Sequence, residues 1–337
     1  MSTKVLTNNQ RLIPFFGDRM SFIRGLDPLG LQTASERAYS YLLPGLNNVT
    51  GRIRYYSFYC WLLHSYAIRK RSTDPSDQKK FIRRAEFIIA LLSQYLDGEN
   101  GAIPGSLYAS QTIENKTSSI FDLLKATYNE DGSTDKTYWK FHSGAFGQYY
   151  LGSLRQIGLI SERSLGSGVF VRTPKINEDI VSGEDLALAF DSNISAINRE
   201  LFFECISKGN ITENEIQELL SDFNLTKVPE ETLEAKLLLK ALLSKDEPLK
   251  EEDEPLSMRK ATIKHLLSFI KNSERDLSDR NFVVEIYNQK GQSDQLEYES
   301  LMINYPNSTF NGTGELLFKL KIVKTDACLY TSCIFFL

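Results

Sequence analysis

Histidine is scarce in this chain, and its scarcity argues against metal chemistry. The 337 residues contain three histidines, and none forms a metal-ligand pattern with a neighbouring histidine or cysteine: His64, His142 and His265. A structural zinc ion needs a closed set of four ligands. His142 also stands beside Trp139 and Phe141, a setting typical of a structural histidine. The sequence therefore predicts no metal site.

Cysteine is equally rare, and no C-x-x-C pair occurs among Cys60, Cys205, Cys328 and Cys333. Cys60 and Cys205 lie within apolar, helical patterns, where cysteine behaves as a small core residue. The absence of a regular cysteine framework is typical of a reducing compartment. We therefore expect a cytoplasmic protein.

Nucleotide and nucleophile motifs are missing as well. There is no G-x-x-x-x-G-K-[ST], no G-x-G-x-x-G after a strand, and no G-x-S-x-G elbow. The run "GSGVF" is short, and turn geometry explains its glycines. These absences argue against a kinase, an ATPase or a Rossmann enzyme, so the chain predicts no cofactor and favours a protein that is not an enzyme.

Long apolar runs are also absent. The longest, Tyr55–Ile68, is shorter than the roughly 18–20 residues that span a bilayer, and it contains His64. No apolar segment typical of a secretory signal follows Met1. The sequence therefore predicts no membrane partner.

What the chain does have is an ordinary globular composition with an uneven distribution of charge. It is 42% hydrophobic and 24% charged, with a net charge of −4. Arg52 to Arg84 holds nine Lys/Arg and two Asp, whereas Asn210 to Leu256 holds thirteen Asp/Glu and five Lys. The acidic region 210–256 favours a surface for a protein partner, although solvated helix faces would give the same pattern.

Apolar spacing predicts a mainly α protein, with helices at Ser35–Gly45, Gly51–Arg71, Asp74–Gly98, Ser118–Tyr128 and from Pro229 to about Lys245. Thr50 is the predicted N-cap of the second helix, whose many aromatic residues indicate burial on most sides. Thr212 and Glu215 form a predicted capping box.

Polar, turn-rich runs at Asn129–Lys136 and Ser244–Pro255 favour domain boundaries. We expect a helical N-terminal domain (1–130), a middle domain (136–205) and an acidic helical C-terminal region (206–337). The last region ends in "IVKTDACLYTSCIFFL", which indicates either a buried terminal strand or a truncated chain.

Arg52 and Arg54 occupy the start of the predicted aromatic helix, where the helix dipole is positive and cations are disfavoured. They are therefore candidates for holding an anion. One hypothesis is an internal carboxylate, such as Asp18, Asp27 or Glu36. The other is an external phosphate bound by the first-turn N–H groups and the guanidiniums. We favour the carboxylate.

The segment "GAFGQYYLGSLRQIGLISERSLGSGVFVRTPKI" (Gly144–Ile176) has the most informative pattern. Its apolar residues at helical spacing are followed by Gly158, and then by two strand-like runs around a glycine-rich tip. Over residues 136–177 this order resembles a winged helix. The resemblance implies a recognition helix followed by a wing at residues 160–172, within multi-helix flanking regions.

The polar residues of this segment are candidate contacts to double-stranded DNA. Lys136 to Asn177 holds six Lys/Arg and one Glu. Off the apolar helix face lie side chains that can reach base edges or phosphates: Gln148, Tyr149, Ser153, Arg155 and Gln156. Arg163 and Arg172 flank the wing. The alternative is a winged helix that packs only against protein.

A nuclease is the other class of function that the sequence leaves open. Arg259 and His265 have a spacing that resembles the R-x4-6-H pattern of HEPN ribonucleases, in which histidine acts as acid or base. Lys260 replaces the polar residue that usually follows the arginine, and chance alone gives such a match readily.

These observations together predict a nucleic-acid-binding accessory protein. We expect a component of a bacterial multi-protein system, related to antiviral defence or mobile elements, that binds DNA through a winged helix. A helical nuclease and a purely protein-binding scaffold subunit remain the alternatives.

Overall fold

The computed structural model describes residues 43–47, 49–97, 103–178, 180–243, 259–260 and 262–263. These residues are mainly helical, as the apolar spacing predicts, and their strands form two small antiparallel sheets. Most of the predicted helix Ser35–Gly45, the acidic linker Ser244–Pro255 and the C-terminal residues His265, Cys328 and Cys333 lie outside the described residues.

The described elements follow one another along the chain in this order: α1 (Arg54–Arg69), α2 (Pro75–Asp97), α3 (Ser106–Glu114), β1 (Ile120–Asp122), α4 (Leu123–Thr127), a π-helical turn (Phe146–Tyr150), α5 (Leu151–Gln156), β2 (Ile160–Glu162), β3 (Phe170–Arg172), α6 (Gly183–Ser192), α7 (Ala196–Lys208), β4 (Asn210–Thr212), α8 (Glu213–Leu219) and α9 (Leu233–Leu243).

Helix α1 is the centre of the structure. Twelve of its sixteen residues are buried, which confirms the predicted burial on most sides. Its aromatic side chains pack against those of α6 and α7, and the Trp61 ring stacks on Phe203 with 4.8 Å between centroids. Burying one such large apolar side chain contributes roughly 1.5–3 kcal/mol. The apolar density of this helix therefore reflects a central position in the core.

The predicted N-cap of α1 is wrong. The helix begins at Arg54, three residues later than predicted, and Ile53 at the N-cap position makes no side-chain capping bond. The Thr50 hydroxyl instead donates to the Asn47 carbonyl oxygen and accepts from the Asn47 N–H, both at 3.1 Å. Thr50 closes a turn before the helix, so its hydroxyl is already used there.

The two described cysteines are buried, reduced core residues, as predicted. Burial raises the pKa of the Cys205 thiol to about 12 and also raises that of Cys60. Both groups are therefore neutral thiols near pH 7, with little tendency to react.

The predicted helix Ser118–Tyr128 is wrong in its first part. Ile120–Asp122 forms β1, which pairs antiparallel with β4, and Phe121 lies opposite Ile211. Asp122 then caps α4, because its carboxylate accepts from the N–H groups of Leu124 and Lys125. The pairing partner lies far along the chain, so local helical spacing alone could not reveal the strand.

One buried hydrophobic cluster runs from Tyr55 on α1 to Ala241 on α9. It extends across the predicted divisions between residues 130 and 136 and between residues 205 and 206, and so does the pairing of β1 with β4. The described parts of the three predicted domains therefore share a core. The division of the whole chain into three folding units stays a prediction.

The predicted hairpin is present. Strand β2 pairs with β3, with Ile160 opposite Arg172 and Glu162 opposite Phe170. Gly158, with φ of +81°, ends the preceding helix as expected, since this left-handed conformation suits glycine. That helix departs from the prediction in its first turn, which is π-helical over Phe146–Tyr150 before α5 begins.

A side chain of α2 fixes the hairpin in place. The Gln78 amide nitrogen donates to the Phe170 carbonyl oxygen, and its amide oxygen accepts from the Phe170 N–H, both at 2.8 Å. One buried glutamine thus satisfies both backbone groups of Phe170 and ties β3 to α2.

The last helices match the prediction in part. The capping box is present, with Thr212 and Glu215 bonding each other's backbone N–H groups. Helix α9, however, begins at Leu233, so Pro229 does not occupy its first turn. No helix in the described parts of the chain is both long and apolar enough to cross a membrane.

Candidate nucleic-acid interface

A groove of about 750 Å³ lies between α5, the preceding π-helical turn, strand β2 and the turn at Leu46–Asn47. We call it the α5 groove. Five of the seven residues predicted to bind nucleic acid line it: Gln148, Tyr149, Ser153, Arg155 and Gln156. The structure therefore brings the off-face residues of the predicted recognition helix together on one concave surface.

Two of these five residues form hydrogen bonds to the turn on the opposite side of the groove. The Ser153 hydroxyl accepts from the Asn47 side-chain amide at 3.1 Å, and Ser153 is buried. The Gln156 side-chain oxygen accepts from the Gly45 N–H at 2.9 Å. Their role in the described structure is to attach the turn to α5.

Gln148 and Tyr149 form the end of the groove nearest Trp139. The Gln148 side-chain oxygen accepts from the Trp139 indole N–H at 2.9 Å. The Tyr149 ring meets the Trp139 ring edge to face, with centroids 5.6 Å apart. These contacts fix the orientation of an exposed amide and a half-buried aromatic ring.

Arg155 and Arg163 are the available cations of this surface. Both are exposed, and neither forms an ion pair with another described residue. One acid, Glu162, also lines the groove, but its carboxylate accepts from the Gly168 N–H at 2.6 Å inside the hairpin. Two arginines are thus free to meet an anion beside the hairpin.

Arg172, the second predicted wing arginine, has partners within the protein. Its Nη2 donates to a Glu184 carboxylate oxygen at 2.9 Å, and its Nε donates to His64 Nδ1 at 2.8 Å. Burial and the neighbouring Arg172 charge lower the pKa of His64 below its ordinary value. Arg172 therefore joins the base of the hairpin to α1 and α6, a structural role that the sequence did not reveal.

A second pocket, of about 580 Å³, adjoins the groove and shares Gln148 with it. We call it the Phe141 pocket. Lys79, Lys140, Phe141, His142 and Ser143 complete its lining, and no carboxylate contributes. Neither lysine is ion-paired to another described side chain. This surface was not among the sequence predictions, although the alternation of basic and aromatic residues in "WKFHS" could have indicated it.

The chain that forms this pocket is held from below by Arg83 of α2, which is fully buried. Its guanidinium donates to the carbonyl oxygens of Thr127, Trp139 and Phe141. It also lies over the Tyr128 ring, 4.7 Å from the centroid. The segment between α4 and the π-helical turn has no helix or strand of its own, and the hydrogen bonds from Arg83 hold its backbone in place.

Glu86, one turn further along α2, holds the start of the π-helical turn. Its buried carboxylate accepts from the N–H groups of Ala145 (3.2 Å) and Phe146 (2.6 Å), and from the hydroxyls of Tyr59 (2.7 Å) and Tyr138. Burial raises the pKa of Glu86, and the hydrogen bonds from Tyr138, Tyr59 and Phe146, together with the Arg83 charge, act in the opposite direction. Apolar periodicity could not single out Glu86, because its position fits an ordinary helical pattern.

Arg54, an anion-binding candidate, is paired inside the protein. Its Nε lies 3.3 Å from a carboxylate oxygen of Glu234, and both side chains are buried. Glu234 also accepts from the Ser57 hydroxyl (2.5 Å) and the Asn193 amide (2.7 Å). Arg54 is therefore paired with an internal carboxylate, as favoured from the sequence, but the carboxylate is Glu234. Because the guanidinium is buried, it cannot contact an external phosphate.

Arg52 is half-buried just before α1. The three carboxylates suggested from the sequence, Asp18, Asp27 and Glu36, lie outside the described residues. The nuclease candidate Arg259 is fully buried and donates to the carbonyl oxygens of Pro44 and Leu242 at 2.7 and 2.9 Å. A guanidinium in that position contacts backbone rather than substrate. Its proposed partner His265 is not among the described residues.

Across the described residues, no group of three or more His, Cys, Asp or Glu side chains is arranged to hold a metal ion. The chain also matches no known family, no curated protein and no solved structure. The function of this chain is therefore inferred from the geometry of this surface.

Proposed function

We propose that this protein binds double-stranded DNA through the α5 groove and the hairpin that follows it. The observation that carries the proposal is the convergence of Gln148, Tyr149 and Arg155 in one groove. Exposed, unpaired arginines and an oriented amide are the side chains that contact phosphates and base edges.

The charge around the groove supports the same proposal. Arg155 lines the groove, Arg163 directly follows β2, and Lys79 and Lys140 line the adjoining Phe141 pocket. Cations spaced along a surface displace the counterions of a nucleic acid, and this release is the main source of affinity. Glu162, the acid in the groove lining, has its carboxylate turned to the hairpin backbone.

A winged-helix mode of binding, with α5 as the recognition helix, is part of the proposal. It is supported by the order of helix, Gly158 and hairpin, and by the tip residue Leu165, which is fully exposed between β2 and β3. A place as an accessory component of a bacterial defence or mobile-element system stays a prediction. The nuclease alternative loses support from the burial of Arg259.

The test is salt-dependent binding to a labelled duplex, measured by fluorescence anisotropy between about 50 and 200 mM salt. The affinity should fall linearly on logarithmic axes, and Arg155→Ala should reduce the magnitude of the slope by about one. Lys227→Ala is the matched control, since Lys227 is an exposed lysine in the acidic region 210–256 and lines neither the α5 groove nor the Phe141 pocket. Absence of binding, or binding that ignores salt, would overturn the proposal and favour a protein-binding scaffold.

A further inference from the structure

We infer that the Phe141 pocket binds an unpaired nucleotide, so that the protein recognises the junction between duplex and single-stranded DNA. The inference rests on the proposed function and adds a class of substrate to it. In this arrangement the duplex lies along the α5 groove, and the first unpaired base stacks on Phe141.

The pocket has the chemistry of a nucleotide site. Phe141 is 54% exposed, and it is the one aromatic ring among the exposed large hydrophobic side chains of the described residues. Lys79 and Lys140 border the same pocket and can hold a phosphate. An aromatic platform with neighbouring cations is the common arrangement for binding single strands, because every base offers a flat π face. The volume of about 580 Å³ suits a small ligand.

The platform is ordered before any ligand arrives. Arg83 donates to the Phe141 carbonyl oxygen from below, and the Tyr128 hydroxyl donates to the His142 carbonyl oxygen at 2.7 Å. The exposed ring therefore stands on a backbone that is fixed on both sides. Because the platform is already fixed, a ligand that binds it loses less conformational entropy than one that must order a mobile loop.

The unpaired state of the base follows from geometry. A base within a duplex has neighbours stacked on both of its faces, so neither face can lie on Phe141. A base in an overhang, a gap or a flipped-out position has a face available. Since the pocket and the α5 groove share Gln148, a base leaving a duplex in the groove would enter the pocket directly.

The experiment compares two labelled DNAs of the same duplex sequence, one blunt and one with a short overhang whose first unpaired base is 2-aminopurine. Binding of each is measured for wild type, Phe141→Ala, Phe141→Trp and Arg155→Ala. Leu107→Ala is the matched control, because Leu107 is also a large exposed apolar residue, 73% exposed, on α3. Thermal melts confirm that each variant is folded.

Wild type should bind the overhang more tightly than the blunt duplex by roughly 5- to 150-fold, the range that one stacked base supplies. Its binding should quench the 2-aminopurine. Phe141→Ala should abolish the preference and the quenching while leaving the blunt-duplex affinity unchanged, and Phe141→Trp should retain both. Arg155→Ala should weaken both DNAs equally.

Two outcomes separate this inference from the function on which it rests. Salt-dependent binding of both DNAs with equal affinity, or a preference that survives Phe141→Ala, overturns the junction and leaves duplex binding intact. A failure of wild type to bind either DNA overturns the proposed function, and the junction with it.

Discussion

The Glu86 carboxylate accepts from the Phe146 N–H at 2.6 Å, which joins the middle of α2 to the first turn of the candidate interface. The free N–H groups at a helix start attract an anion, and here the anion comes from the core of the protein. The turn that leads to the α5 groove is therefore positioned by a buried side chain about sixty residues earlier.

Gly144 should be intolerant of any side chain because of this carboxylate. A Cβ added there would lie 2.2 Å from a Glu86 oxygen and 2.7 Å from the Tyr138 hydroxyl, at φ of +69°. Gly132 is a matched control, since it has φ of +78° and nothing within 4 Å of the same position.

Gly144→Ala should therefore destabilise the protein by about 1–3 kcal/mol more than Gly132→Ala, since both variants incur the left-handed strain and only one incurs the overlap. Urea denaturation of the two variants measures the difference. Equal losses would show that Glu86 moves aside readily and does not position the turn.

The Arg54–Glu234 pair should behave as a buried ion pair. Removing one partner leaves an uncompensated charge in the core, so Glu234→Ala should cost about 3–5 kcal/mol. The exposed pair Arg69–Glu200 is the control, and Arg69→Ala should cost about 0–1 kcal/mol, with some of that from its contact with the Phe203 ring.

A double-mutant cycle with Arg54→Ala and Glu234→Ala would measure the coupling directly. We expect the double variant to be less destabilised than the sum of the single variants. Additive losses would mean that Ser57 and Asn193, rather than Arg54, satisfy the carboxylate.

Arg155 and Ser153 lie two residues apart on α5 and should separate binding from stability. Arg155 is exposed without an ion pair to any described residue, so Arg155→Ala should weaken DNA binding with less than about 0.5 kcal/mol of change in stability. Ser153→Ala should cost about 0.5–1.5 kcal/mol, because it breaks the hydrogen bond to Asn47.

The two measurements are anisotropy with a duplex and urea denaturation, each made on both variants. The arrangement of the groove is contradicted if Arg155→Ala destabilises the fold as much as Ser153→Ala does.

His64 should make stability depend on pH. In the native protein, burial and the Arg172 charge lower the pKa of His64, and the smaller effects of Glu184 and Asp191 act in the other direction. The unfolded chain has the ordinary pKa of about 6.5. Below that pH the unfolded state binds a proton that the native state does not, so the free energy of unfolding falls as the pH drops.

His64→Asn keeps an acceptor near the Nδ1 position for Arg172 and removes the titration. Its stability should therefore fall less than that of wild type between about pH 7 and pH 5. The comparison requires urea denaturation of both proteins across this range. Parallel pH profiles would show that His64 titrates normally in the native state.

The local features of this fold could be predicted from sequence. The hairpin was signalled by Gly158 and by two strand-like runs around a glycine-rich tip, and the capping box by Thr212 and Glu215. The burial of α1 followed from its density of aromatic residues. Each of these signals is contained within a few neighbouring residues, which is why periodicity and turn chemistry were sufficient.

The remaining features depend on distant partners. Strand β1 forms because Phe121 meets Ile211, and Arg54 is buried because Glu234 lies beside it. Arg83 and Glu86 occupy ordinary helical positions, and their partners are backbone groups of a segment without regular structure. Five residues that line the α5 groove were predicted as candidate contacts, but the groove itself was not. Its other side is the turn at Asn47, which is distant from α5 in sequence and meets it only in the folded chain.

The bond between Gln78 and Phe170 has a consequence for association between copies of this chain. A strand at the edge of a small sheet normally exposes backbone donors and acceptors that a strand from another molecule can pair with. At Phe170 both groups are already taken by the Gln78 amide. The edge of β3 is thereby protected at that point against extension by a foreign strand, so this short hairpin is a poor template for aggregation.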